Sequence, residues 1–216
     1  GKPIGYFYGL QTDGIFQTQA EVDAHPSQIA LGANAQPGDI RFVDTNGDGK
    51  IDVEDKTDIG NPIPELTMGL NLSFDYKNLD FQMYVFSSIG NDIVRNYDRN
   101  LAFTNRTSYA LDRWTGAGTN NVNPRITTGA TGNGTFSDYF VEDGSFIRAQ
   151  NIQLGYSLSD KIIENAGLDK LRVYVSVGNA FTLTKYRGYD PTTATSSPIG
   201  AGFDNGFYPS PRTYLL

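Results

Sequence analysis

From Leu66 onward one stretch has every second residue apolar: Met68, Leu70, Leu72, Phe74 and Tyr76 alternate with Gly69, Asn71, Ser73 and Asp75. A period of two held this long is the pattern of a β-strand with one apolar and one polar face. Lys77-Asn78 reads as a short turn, after which Leu79, Phe81, Met83 and Val85 alternate with Asp80, Gln82 and Tyr84; the two runs predict a hairpin with one apolar side. The pattern returns where Ile152, Leu154, Tyr156 and Leu158 alternate with Asn151, Gln153, Gly155 and Ser157. It returns again where Leu171, Val173, Val175 and Val177 alternate with Arg172, Tyr174, Ser176 and Gly178. A further strand opens over 208–216. Only brief helices are predicted, over 20–25, 109–114 and 160–166, the last capped by Ser159 and stopped by Gly167.

Strands with one apolar face have two homes. In a soluble sandwich that face is the core; in a membrane barrel it meets lipid while the small, polar face lines the lumen. The connections separate the two. They alternate strictly: long before Leu66, short at Lys77-Asn78, long over 90–138, fairly short over 159–170 and long over 185–205. Outer-membrane barrels have short periplasmic turns and long outer loops. Strands of about nine residues suit a tilted bilayer crossing, and Tyr76, Tyr156 and Tyr208 fall near strand ends, where an interfacial aromatic girdle would stand. The predicted fold is therefore all-β, an antiparallel transmembrane β-barrel segment of about five strands with long extracellular loops. Closure takes about eight strands or more, so these belong to a larger barrel. Residues 1–65, which show little periodicity, are expected to form an extracellular loop region, and residues 66–216 the barrel strands with their loops.

Composition removes other classes. Among 216 residues, 24 acidic against 17 basic side chains give a formal net charge of −7, which argues against nucleic acid as a partner. With no Cys and a single His, His25, the chain has neither a disulfide scaffold nor a thiolate or multi-histidine metal site of its own. No run approaches the ~18 apolar residues of a membrane helix, which says nothing against a barrel. Catalysis lacks a constellation too. Glu142 and Asp143 are adjacent on a strand, so they point to opposite faces and cannot flank one bond, and no nucleophile–base pair is available. The expectation is a protein that is not an enzyme.

The most ligand-like stretch is 44–55. Asp44, Asn46 and Asp48 occupy positions 1, 3 and 5 of a twelve-residue calcium-type loop, Gly49 the sharp-turn position, the Lys50 carbonyl position 7, and Asp52 and Asp55 positions 9 and 12. Ile51 would turn inward to anchor it. Asp at the last position is one methylene shorter than the usual Glu, which weakens bidentate closure, and no second copy follows. Structural Ca²⁺ outside the cytosol, where millimolar calcium fills a weak site, is the expected cofactor. For substrate, the polar residues after the upward strand are the candidates: Asn91, Asp92, Arg95, Asn96, Tyr97 and Arg99. Lys185, Tyr186 and Arg187 are similar. A secreted, calcium-stabilised β-sandwich that binds carbohydrate, with Tyr97, Tyr109 and Trp114 as stacking platforms, is the alternative.

A family likeness runs through almost the whole chain in ordered motifs. They include Pro3-Ile4-Gly5-Tyr6-Phe7-Tyr8-Gly9, Thr12-Asp13-Gly14-Ile15-Phe16, Pro37-Gly38-Asp39-Ile40, the 44–55 loop, Ile59-Gly60-Asn61-Pro62 and Gly90-Asn91-Asp92-Ile93. Val141-Glu142-Asp143-Gly144-Ser145-Phe146-Ile147-Arg148, Asn151-Ile152-Gln153-Leu154-Gly155-Tyr156, Gly188-Tyr189-Asp190-Pro191 and Tyr208-Pro209-Ser210-Pro211-Arg212-Thr213-Tyr214 continue it. In these the chain resembles the SusC/RagA-type TonB-dependent transporters of the Bacteroidetes outer membrane. The resemblance implies a large barrel with an amino-terminal plug, embedded in outer-membrane lipid. Such a barrel imports glycans or peptides with energy from TonB and is capped outside by a SusD-like lipoprotein. By the same resemblance this chain is the carboxyl-terminal part of the barrel, and the TonB complex acts through an amino-terminal part that it lacks.

Overall fold

In a computed structural model the described residues are 1–98, 107–159, 167–192 and 198–216. Their strands are β1 (Phe7–Gly9), β2 (Thr12–Ile15), β3 (Ile40–Phe42), β4 (Thr57–Gly60), β5 (Leu66–Tyr76), β6 (Leu79–Ile89) and β7 (Asp92–Arg95). They continue with β8 (Val141–Asp143), β9 (Phe146–Ser157), β10 (Arg172–Thr184), β11 (Phe203–Asp204) and β12 (Thr213–Leu215). One short α-helix, α1 (Gln19–Ala24), matches the helical turn expected there; Thr18 caps it by accepting from Glu21 N. The helix expected over 109–114 is a 3₁₀ turn at Ser108–Asp112, and the one expected over 160–166 lies outside the described residues. No helix among the described residues is long and apolar enough to cross a membrane. The chain divides into two compact units: Gly1–Pro62, Asp92–Glu142 and Ala194–Gly206 form the first, Ile63–Asn91, Asp143–Thr193 and Phe207–Leu216 the second.

The second unit is one antiparallel sheet in the order β12-β10-β9-β6-β5. Lys77, at φ +55°, supplies the positive φ that the tight β5–β6 turn needs. Residues directly opposite in a sheet share a face, so the register aligns Leu72, Met83, Ile152, Val177 and Tyr214 into one apolar row across five strands. Next to it, Ser73, Gln82, Gln153 and Ser176 form a polar row on the other face. The apolar face is uncovered: Leu66, Met68, Leu70, Leu72, Phe74 and Tyr76 are 43–62% exposed, and Leu154, Val173, Val175 and Leu183 are exposed as well.

Two strands outrun the alternation that announces them. β9 begins at Phe146, but a register shift where Tyr84 and Val85 face Asn151 and Ala149 breaks the period of two. β10 continues to Thr184 past an irregularity between Gly178 and Phe181, where Asn179 takes φ +50°. β12 is shorter than the expected 208–216 strand because Pro209 and Pro211 cannot donate to a ladder.

The first unit is built from short pairs, β1 with β4 and β2 with β3, and a small sheet in the order β11-β7-β8. Its core has two clusters. Leu10, Ile40, Phe42 and Ile51 form one, and Phe7, Val94 and Phe140 the other. β7 was not visible as a strand in the sequence because Ile93, Val94 and Arg95 are all fully buried, which erases any alternation.

Candidate functional site

The 44–55 loop turns sharply at two glycines. Gly47 and Gly49 sit at φ +78° and +85°, a conformation open to glycine at little cost. Asp44 accepts from both their amides, at 2.7 and 2.9 Å. Asp52 caps the 3₁₀ turn Val53–Asp55, and Asp55 returns the favour from N3 by accepting from Asp52 N at 2.8 Å, a capping box. Ile51 is fully buried, and its amide donates to the Ser27 carbonyl at 2.9 Å. The loop is therefore anchored at its centre and closed at its end.

Its charges are arranged around a lysine. Lys50 Nζ lies 3.2 Å from a carboxylate oxygen of both Asp48 and Asp52, and these carboxylates raise its pKa. The Gly49 amide is the main influence holding the Asp44 carboxyl below the usual range. Asp55 is fully buried and accepts from the Thr45 and Asp52 amides. In kind, four carboxylates, an amide oxygen and a carbonyl suit a hard cation. In position, no three acidic or imidazole groups among the described residues converge on one point.

The residues expected to meet substrate are placed by the fold in different surroundings. Asn91, buried, accepts from Ser88 Oγ at 2.9 Å. Asp92 accepts from the Asn61 amide at 2.9 Å, and Asn96 donates to Asn205 at 2.6 Å. Burial pushes the Tyr97 hydroxyl up to about 12. Arg95 has no exposed surface. It pairs with Asp98 at 3.0 Å and Glu142 at 2.5 Å, donates to the Tyr139 carbonyl at 2.7 Å, and lies over the rings of Tyr109 and Tyr139. Glu142, set aside in the sequence as a catalytic partner of Asp143, is thus half of a buried ion pair. Arg99 lies outside the described residues, and Tyr186 is buried.

The platforms of a sugar-binding sandwich are also committed inward. Tyr109 donates to Asp98 beneath Arg95, and Trp114 packs over Gly38 while its Nε1 donates to Gln17.

Two ion pairs that the sequence did not single out organise the polar side of the second unit. Arg172 forms a bidentate bridge to Asp80. It passes across the intervening strand β9 at Gly155, where a Cβ would overlap both partners. Arg148 donates to Asp190 at 2.6 Å and to Thr182 at 2.8 Å, and Asp190 also accepts from the amides of Thr192 and Ser210. Burial opposes ionisation of Asp190, but these donors outweigh it and hold the carboxyl at about 2. The signal was present in the sequence: Arg148 and Asp190 end or centre two of the family motifs.

No family model matches the chain. It is 32% identical over 225 residues to TonB-dependent receptor P3 of Formosa agariphila, a match covering 100% of this chain and 22% of that protein. TonB-dependent receptor SusC of Bacteroides thetaiotaomicron is 34% identical over 186 residues, covering 85% of this chain and 18% of SusC. The chain thus spans about a fifth of the length of these curated relatives. Among solved structures, the RagAB peptide transporter superposes with a TM-score of 0.69 at 21% identity, over 97% of this chain and 22% of that one. The chain thus matches part of a TonB-dependent receptor in sequence along its whole length, and by its likeness to SusC in sequence and to RagAB in fold it is of the SusC/RagA type.

Proposed function

We propose that this chain is a wall segment of an outer-membrane barrel that imports nutrients, from the carboxyl-terminal part of a TonB-dependent receptor. One observation carries the reading: a five-stranded sheet whose apolar face is uncovered along its length while the opposite face is polar and braced by ion pairs. A soluble sandwich would bury that face under a second sheet. Lipid satisfies it without one. In this reading the apolar row meets lipid, the polar row faces the lumen, and the long connections, the first unit included, lie outside the cell. The solute is a glycan or a peptide; the RagAB peptide transporter, alike in fold, supports the second, and the family resemblance implies both. A SusD-like lipoprotein as the outer cap and TonB as the energy source complete the proposal. The 44–55 loop binds one structural Ca²⁺, with Asp44, Asn46, Asp48, Asp52, Asp55 and the Lys50 carbonyl as donors.

The experiment uses the full-length receptor in liposomes, with an environment-sensitive fluorophore on single cysteines at Leu72 or Met83 and at Ser73 or Gln82. Nitroxide lipids quench the first pair and aqueous iodide the second if the reading holds. Equal access of iodide to both pairs would sink it.

A further inference from the structure

The second unit holds a cavity of ≈ 310 Å³ beside the end of β10. Its floor is the Arg148–Asp190 pair, both side chains at least nine-tenths buried and their charges cancelling. One more cation lines it, Arg212. The backbone around Arg212 is pinned on both sides. Ser210 N donates to Asp190 Oδ2 at 3.0 Å, the Pro211 carbonyl accepts from Asn179 Nδ2 at 3.1 Å, and Thr213 pairs with Gly178. The guanidinium itself is exposed and makes no hydrogen bond or ion pair among the described residues. Tyr189, 66% exposed, lines the same cavity. It follows Gly188, whose missing side chain makes room for the Tyr186 ring.

A cavity lined by a backbone-anchored guanidinium that has no partner among the described residues, and by a largely exposed tyrosine, has a definite chemistry. The guanidinium fork matches a carboxylate in two parallel hydrogen bonds, and the ring offers a flat apolar face to whatever carries it. We propose that this cavity binds the carboxylate of an anionic solute, an acidic sugar or a peptide with a free carboxyl terminus. Arg212 contacts the carboxylate and Tyr189 lies against the remainder. The inference deepens the importer reading and rests on it for the solute's route, though not for binding itself.

The test is calorimetric titration of the full-length receptor in detergent with digalacturonate and with triglycine, each beside its carboxyl-blocked form, the methyl ester and the amide. Whichever acid binds identifies the source. Its affinity falls about ten-fold or more on blocking and in Arg212→Gln, and recovers in part in Arg212→Lys. Tyr189→Ala costs about three-fold. Arg212 is exposed and has no hydrogen bond or ion pair among the described residues, and partial recovery in Arg212→Lys separates a lost contact from a lost fold. If neither acid binds, or Arg212→Gln leaves affinity unchanged, the proposal is overturned. Uptake measured in cells that carry the receptor and TonB separates the two readings: binding without uptake removes the importer and leaves the cavity, whereas uptake without carboxylate binding removes the cavity alone.

Discussion

Arg95 and Asp190 show why a polar residue in a long connection is a poor guide by itself. Arg95 stands in a run of Asn, Asp and Tyr that looks solvated, yet its guanidinium is fully enclosed by Asp98, Glu142 and two tyrosine rings that come from elsewhere in the chain. Asp98 is only three residues on, but nothing local announces Glu142 or the two rings. Asp190 was readable as part of a motif, but its task, bracing Arg148 and the Ser210 amide, depends on tertiary placement. That task has a pH signature. The folded carboxyl sits at about 2, below its unfolded value, so its stabilisation is complete above pH ~4 and is lost as pH falls toward 2. The shift corresponds to roughly 2 kcal/mol. Asp190→Asn should therefore lower the melting midpoint of the full-length receptor at pH 7, with the gap to wild type narrowing below pH ~4 and closing near 2. A gap independent of pH would show that the charge is not what matters.

At the scale of strands and turns the sequence was most informative where one face is buried by nothing. β5, β6, β9 and β10 keep a period of two because each has one apolar and one polar side, and the Lys77-Asn78 turn was legible from the residues between the first two. The same reading failed at β7, buried on every side, and at the irregularities in β9 and β10, where an extra residue resets the phase. Gly155 was counted merely as a small residue on the polar face. In the sheet it is the gap through which Asp80 and Arg172 reach one another across β9. Gly155→Val should part them and lower the melting midpoint slightly, as expected of a solvent-screened bridge. The informative measurement is a double-mutant cycle in melting midpoint. Asp80→Ala should add almost nothing in the Gly155→Val background, and simple additivity of the two losses would mean that the glycine serves some other purpose.

On the scale of the whole chain, the two units differ in what stabilises them. The first has a packed apolar core; the second is a sheet whose apolar side chains are largely open, so that its stability in the proposed setting comes from lipid and neighbouring strands. The 44–55 loop belongs to the first unit and enters its core through Ile51, whose amide donates to the Ser27 carbonyl, while Asp55 accepts from the Thr45 amide across the loop. Filling that loop with Ca²⁺ should then act on one unit only. A bound ion stabilises whatever folded state holds it in proportion to the logarithm of its concentration over Kd. In the full-length receptor, Ca²⁺ should slow protease cleavage within the first unit while leaving the melting of the barrel sheet where it was. Asp48→Ala removes one carboxylate at loop position 5 without touching the capping box, so it should abolish both the protection and the calorimetric binding signal. Mg²⁺, smaller and slow to shed its water, should protect far less. Protection that survives Asp48→Ala would locate the ion elsewhere, and no response at millimolar Ca²⁺ would remove the calcium site.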